Sequence, residues 1–97
     1  MDRTIATKVV HDVLHQIQTG QDLDCPTLDD TTRPLRDLKK FDSPMSFAAT
    51  GMVGRELGIT IPPKTNIFGG ESGKYTISKT VDLLCKLSDE QKEAEAA

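Results

Sequence analysis

A serine stands at the predicted start of a helix, where a side-chain hydroxyl can be held at the surface. Asp42 and Ser43 are both favoured helix caps, and Pro44 suits the first helical position because its missing N–H would have no partner there. Proline also biases the residue before it away from helical dihedrals. We therefore expect Ser43 to lie outside the helix as its cap, with its hydroxyl bonded to the N–H near Met45 or Ser46 or turned to solvent. Such a serine is more often a cap than a reactive group.

Two histidines four residues apart resemble the metalloprotease pattern H-E-x-x-H, with Asp12 in place of the glutamate. The spacing of His11 and His15 brings both imidazoles to one helical face. Aspartate is one methylene shorter than the base of such a site, however, and the sequence offers no evident third ligand. We interpret the pair as exposed histidines and expect no metal site.

A glycine-rich stretch from Gly69 to Thr76 partly matches a phosphate-binding loop. The pattern G-x-x-x-x-G-K-[ST] would need glycine in place of Phe68 and serine or threonine in place of Tyr75. Because no buried strand precedes the stretch either, a flexible loop is the better interpretation.

Four aspartates between the first two predicted helices suggest calcium binding only loosely: Asp22, Asp24, Asp29 and Asp30. They lack the alternating ligand order and the closing glutamate of an EF-hand loop. The pattern therefore favours a solvated acidic face.

Hydrophobic periodicity predicts a first helix that starts at a cap formed by Asp2 or Thr4 and ends at a left-handed Gly20. Its apolar stripe consists of Ile5, Val9, Val10, Val13, Leu14 and Ile17. The segment 21–41 contains Pro26 and Pro34, which break regular structure. Its large apolar residues predict an ordered loop pinned onto the core, with a short helical turn near Leu35–Leu38: Leu23, Leu28, Leu35, Leu38 and Phe41.

The helix that follows is predicted to stop at Gly58, and its apolar contacts come from Phe47, Met52, Val53 and Leu57. Gly51 and Gly54 inside this helix suggest a close backbone approach or a bend. The last helix begins near Thr76 or Ser78 and uses Ile77, Val81, Leu84 and Leu87 as its apolar face. We predict one all-α domain of three or four helices over residues 1–97, with its core at about 4–87 and a polar tail at 88–97 that frays.

The order and spacing of several short motifs resemble the acyl and peptidyl carrier proteins. Phe41-Asp42-Ser43 follows Pro34-Leu35-Arg36-Asp37-Leu38 and opens a helix that ends in Glu56-Leu57-Gly58-Ile59-Thr60-Ile61-Pro62. In that family an Asp-Ser-Leu attachment motif is followed by a helix and then by Leu-Gly-Ile-x-Ile-Pro at a similar distance. The resemblance covers about Ile5 to Leu87.

This resemblance implies an acyl-carrier-like bundle with a long loop between its first two helices, and a 4'-phosphopantetheine group attached covalently to Ser43. Asp42 would be a recognition residue for the phosphopantetheinyl transferase that attaches the group. A phosphate at a helix start would meet unpaired N–H groups and the positive end of the helix dipole. The protein would not be an enzyme, since acyl-loading and acyl-processing enzymes would act on the thioester that the arm carries.

Three features depart from the family. Pro44 replaces the usual leucine, the second helix has only Glu56 as an acid after Asp42, and the loop after Phe68 is long and rich in glycine. We therefore expect poor use by ordinary fatty-acid synthase enzymes and a role in a specialised lipid, polyketide or peptide pathway.

Composition limits the other classes of function. Of the 97 residues, 36% are hydrophobic and 28% charged, which is typical of a folded domain. The net charge of -3 disfavours nucleic acid and anionic membranes as partners. With no apolar span, no secretory signal and no C-x-x-C pairing of Cys25 and Cys85, we expect a cytoplasmic monomer. The alternative is a cofactor-free helical interaction module, in which Ser43 is only a cap and the second helix binds a partner.

Overall fold

The computed structural model describes residues 2–62, 64–69 and 73–96, without the side chains of Ser43 and of residues 93–96. It confirms an all-helical fold with four helices, and the described ranges contain no strand. In chain order these are α1 (Arg3–Gly20), α2 (Pro34–Asp37), α3 (Ser43–Leu57) and α4 (Ile77–Ala96). Within those ranges no helix has the length and apolarity required to cross a bilayer.

Helix α1 is the central element, because it packs against both α3 and α4. Its start is capped by Asp2, whose carboxylate accepts a hydrogen bond from the Thr4 N–H at 2.8 Å. The predicted stripe is buried from residue 10 onward, but Ile5 is 56% exposed, so its assignment to the core was wrong. Ile5 lies in the first turn, before α1 is enclosed by its neighbours.

The end of α1 also differs from the prediction. Gly20 is the last helical residue, Gln21 follows as the cap with φ near -98°, and Asp22 adopts the left-handed conformation with φ of 59°. The Asp22 and Leu23 N–H groups donate to the carbonyls of Thr19 and Gln18 and close the helix. Aspartate tolerates the left-handed conformation better than most residues. The left-handed turn therefore forms at Asp22, two residues after Gly20, where it was predicted.

The long connection before α3 is ordered and pinned onto the core, as predicted, and α2 forms its short helical turn. Leu38 and Phe41 are buried, at 5% and 3% exposure. The Ile77 N–H donates to the Thr32 carbonyl at 2.9 Å, which joins this connection to the start of α4. The 22-residue span 21–42 is therefore held at several points although only four of its residues are helical.

Helix α3 corresponds to the second long helix predicted from the sequence. Gly58 follows its last residue, Leu57, as the C-cap and takes the predicted left-handed conformation with φ of 67°. Helix α4 runs to Ala96, well beyond Leu87. Ser88 is buried, and the Gln91 side-chain amide bonds both the N–H and the carbonyl of Thr60. The polar segment after Leu87 thus makes specific contacts at Ser88 and Gln91. Fraying of the helix beyond Gln91 remains a prediction.

Candidate functional site

The start of α3 is built around Asp42, which is the N-cap of the helix. Asp42 has an extended backbone, and its carboxylate accepts a hydrogen bond from the Met45 N–H at 3.2 Å. Its carbonyl accepts the Ser46 N–H at 2.9 Å, which closes the first helical turn. The side-chain bond to Met45 satisfies one of the N–H groups that a helix start leaves without partners, and the bond from Ser46 is the first regular bond of the helix.

Ser43 is the first residue of α3 and Pro44 is the second. The prediction that Ser43 itself caps the helix is therefore wrong, since Asp42 has that role. The bias that proline imposes on its predecessor is a preference, and the cap of Asp42 together with the closed first turn outweighs it. The Ser43 hydroxyl lies outside the described part of the structure, while its neighbours Asp42 and Pro44 are both exposed.

Residues 39–41, which we call the lead-in to α3, are held in place by contacts with α1 and with the core. Phe41 is buried and packs edge-on against Phe68, with ring centroids 5.5 Å apart. The Lys39 carbonyl accepts a hydrogen bond from the Gln18 side-chain amide of α1 at 2.8 Å. Lys40, between these anchors, adopts a left-handed backbone with φ of 54°, which is uncommon for lysine. These contacts define where α3 begins relative to α1.

A buried polar network holds the turn 65–69 against the inner side of α3. The Asn66 side-chain amide donates to the Ser46 hydroxyl at 2.6 Å, and the Thr50 hydroxyl accepts the Ile67 N–H at 3.4 Å. Thr80 of α4 donates from its hydroxyl to the Ile67 carbonyl at 2.8 Å. Because all these polar groups have partners, the network fixes the turn at low desolvation cost.

The first turn of α3 offers few donors to a phosphate. Pro44 has no N–H, and the N–H groups of Met45 and Ser46 are already bonded to Asp42. The expectation that a phosphate on Ser43 would meet unpaired N–H groups is therefore not met at these three positions. Since Asp42 and Pro44 are exposed, the residues present fit a surface attachment point and not an anion cradle.

The two histidines do not form a metal site with other residues. His15 is exposed and His11 is half-buried. Among the residues that the structure describes, no group of three or more His, Cys, Asp or Glu side chains could hold a metal ion. The prediction that both histidines are exposed holds for His15 and is wrong for His11, which lies partly under its neighbours.

The four loop aspartates are exposed, as predicted for a solvated face. The Asp29 carboxylate accepts hydrogen bonds from the hydroxyl and the N–H of Thr31, at 2.7 and 2.8 Å, and these bonds lower the pKa of Asp29. Asp22 and Asp24 line a surface cleft of about 470 Å³ beside Cys25, where burial raises the pKa of the thiol. A thiol with a raised pKa is a poor nucleophile. Of the glycine-rich loop, residues 70–72 lie outside the described residues.

Comparisons with known proteins give no identification: no family model, curated protein or solved structure matches this chain.

Two features of this region were not predicted from the sequence. One is the role of Asn66, whose side-chain N–H donates to the Ser46 hydroxyl and whose side-chain oxygen Oδ1 accepts the Phe68 N–H at 2.9 Å. Ser46 and Thr50, four residues apart on the helix side that also holds Ala49, were the available signal, because buried hydroxyls require partners. The other is the exposure of Phe47, which was assigned to the apolar contacts but is 42% exposed.

Proposed function

We propose that this protein is a carrier that holds an acyl or related group on a 4'-phosphopantetheine arm attached to Ser43. The proposal rests on the carrier-like order of motifs in the sequence. The structural observation that supports it is the position of Ser43 in the first turn of a 15-residue helix, between two exposed residues. When bound, the arm would supply a thiol that carries the acyl group as a thioester.

The residues around Ser43 have positioning roles in this proposal. Asp42 fixes the first turn of α3 through its bond to the Met45 N–H, and it remains exposed to a transferase. Phe41 anchors the lead-in to the core. A modifying enzyme would therefore meet a serine on a backbone that is already ordered, which lowers the entropic cost of recognition.

The partners that follow from the proposal are a phosphopantetheinyl transferase and enzymes that load and process the acyl group. Helix α3 carries Arg55 and Glu56 near its end, and no acidic residue in its first turn. This charge pattern favours a specialised lipid, polyketide or peptide pathway over ordinary fatty-acid synthesis, whose enzymes would find no acidic surface on α3 to steer their binding.

Incubation with coenzyme A and several phosphopantetheinyl transferases tests the proposal by intact-protein mass. We expect wild type to gain one phosphopantetheine and Ser43→Ala to gain none. Ser78→Ala is the matched control, because Ser78 also lies in the first turn of a helix, and it should be modified like wild type. Modification of the Ser43→Ala variant would place the site elsewhere. No modification of wild type by any transferase would favour the cofactor-free interaction module.

A further inference from the structure

Gln18 is a polar side chain that is enclosed in the core near the end of α1. It is 0% exposed, and its side-chain N–H donates to the Lys39 carbonyl at 2.8 Å. The side-chain oxygen of Gln18 is buried and has no hydrogen-bond partner among the described residues. The side-chain nitrogen of Gln21 is a buried donor that is unpartnered in the same part of the structure, so the two amides do not satisfy each other. Gln18 therefore makes one side-chain bond and leaves one buried acceptor unpaired, which is unfavourable.

The bond from Gln18 holds a strained part of the chain. Lys40 directly follows Lys39 and has a left-handed backbone with φ of 54°, a conformation that a long side chain adopts at a cost in free energy. On the other side of Lys40, Phe41 is anchored in the core by its contact with Phe68. Lys40 itself is exposed, so its conformation is determined mainly by the anchors that flank it. The Gln18 bond is the anchor on the α1 side.

A purely stabilising role explains Gln18 poorly. Methionine at this position would have a similar shape and would remove the unpaired oxygen. The Lys39 carbonyl would lose its partner, but Lys39 is exposed and its carbonyl could bond water once the lead-in loosens. The two effects oppose each other, so the net change in stability should be small. Polar groups that do not favour stability are retained where a specific geometry is required.

The geometry that Gln18 determines is that of the lead-in to the proposed attachment site. Lys39 lies four residues before Ser43, which is at most about 14 Å of chain. The carbonyl of Gln18 also accepts the Leu23 N–H at 3.0 Å, so the same residue holds the start of the long connection. The last turn of α1 is thus the fixed point from which both ends of the connection are placed.

We infer that Gln18 is a positioning residue for Ser43. Its bond to Lys39 holds the lead-in, and through it the first turn of α3, in the orientation that a modifying enzyme meets. The inference rests on the proposed function, since it states how that same site is prepared for a phosphopantetheinyl transferase. Without the bond, Lys40 can leave the left-handed region, and the native lead-in becomes one of several conformations. An enzyme that recognises only the native one then binds more weakly, in proportion to its remaining population.

The test compares wild type with Gln18→Met in the modification assay with coenzyme A, at several concentrations of the protein. We expect Gln18→Met to raise the KM for the protein about fivefold or more and to leave kcat within about twofold, because the variant changes only how often the lead-in is in place. The thermal midpoint of the variant should stay within about 4 °C of wild type.

Val81→Ala is the matched control for a general loss of stability. Val81 is 0% exposed on α4, and the next residue, Asp82, pairs with Arg3 at the opposite end of α1 from Gln18. Removing its buried methyl groups should lower the thermal midpoint by more than Gln18→Met does. The lead-in keeps its anchors in this variant, so its KM should stay within about twofold of wild type.

A second measurement does not use the transferase. The Cα and Cβ chemical shifts of Lys40 report its left-handed backbone, and Gln18→Met should move them toward those of ordinary residues. The backbone order parameters of residues 39–41 should fall below about 0.6. Asparagine tolerates the left-handed conformation better than lysine does. Adding Lys40→Asn to Gln18→Met should therefore reverse about half or more of the fold-change in KM.

Failure of this inference can be distinguished from failure of the proposed function. If no transferase modifies wild type, the proposed function fails, and the role of Gln18 in it fails as well. If wild type is modified, an unchanged KM or unchanged Lys40 shifts in Gln18→Met would overturn the positioning role alone. A Gln18→Met variant that unfolds, or that loses as much thermal stability as Val81→Ala, would make Gln18 a stabilising residue instead. An equal rise in KM for Val81→Ala would have the same meaning.

Discussion

The ring of Phe41 meets the ring of Phe68 edge-on, with the two planes at 85° and the centroids 5.5 Å apart. Both side chains are buried, and Phe41 lies only two residues before Ser43. This geometry is one that aromatic pairs prefer, because the positive edge of one ring faces the negative face of the other. The pair therefore joins the lead-in of α3 to the turn that precedes the last helix.

We predict that Phe41→Ala lowers the free energy of unfolding by about 3–5 kcal/mol, since it removes a buried aromatic ring and leaves a cavity. Denaturant unfolding followed by circular dichroism measures this change. Phe47→Ala is the matched control, because Phe47 is 42% exposed and its loss should cost about 1 kcal/mol or less. Equal losses in the two variants would show that Phe41 does not anchor the lead-in.

Much of this anchoring was predictable from residue types. Large apolar residues spread through the segment 21–41 indicated a loop pinned to the core, and both Leu38 and Phe41 are buried. Gly58 was predicted to end a helix in the left-handed conformation, and it does so with φ of 67°. In each case the residue type determines a local property, such as apolarity or backbone freedom, that does not depend on the rest of the fold.

Other features depend on tertiary neighbours and were not predictable in the same way. Ile5 and Phe47 fit helical stripes in the sequence, but the structure leaves both exposed because no element covers those positions. Asp22, and not Gly20, takes the left-handed turn after α1, since the position is set by where Leu23 can bond back to Gln18. The identity of the cap at α3 was ambiguous because Asp42 and Ser43 are both good caps.

The two glycines inside α3 should respond in opposite ways to alanine. Gly51→Ala should raise the free energy of unfolding by about 0.5–1 kcal/mol, because the added methyl group meets no atom within 4 Å and the unfolded chain loses freedom. Gly54→Ala should lower it, because its Cβ would lie 3.3 Å from the Ile59 carbonyl oxygen and 3.2 Å from the Ile61 side chain. Thermal unfolding of the two variants side by side gives the comparison. Stabilisation by Gly54→Ala would mean that this approach is looser than the structure indicates.

The Thr50 hydroxyl should contribute to stability through the backbone of the turn 65–69. Thr50→Val keeps the shape of the side chain but leaves the Ile67 N–H without its partner, which should cost about 1–3 kcal/mol. Both hydroxyls donate to the carbonyl four residues earlier, Thr50 to Ser46 and Thr19 to His15. Thr19→Val is therefore the control, because Thr19 is exposed and the structure shows it accepting no backbone N–H from the described residues. Denaturant unfolding gives the loss, and faster hydrogen exchange at the Ile67 amide should accompany it. A loss as small as that of Thr19→Val would exclude this role.

Pro44 connects the stability of α3 to the proposed modification. Its backbone fits the first turn, and its side chain is exposed, so Pro44→Leu removes restraint from the unfolded chain without creating a buried cavity. We expect the free energy of unfolding to fall by about 0.4–1 kcal/mol. Because the carrier proteins that this sequence resembles usually have leucine here, the variant should also be modified faster by a generic phosphopantetheinyl transferase.

Thermal unfolding and the initial rate of modification, followed by intact mass, measure the two effects in one preparation. Pro26→Leu is the control, since Pro26 is also exposed but lies in the loop before α2; it should leave the rate of modification unchanged. A faster rate in Pro44→Leu alone would mean that Pro44 narrows the set of transferases that accept Ser43. An unchanged rate with reduced stability would mean that Pro44 acts only as a helix starter, and the argument for a specialised transferase would fail.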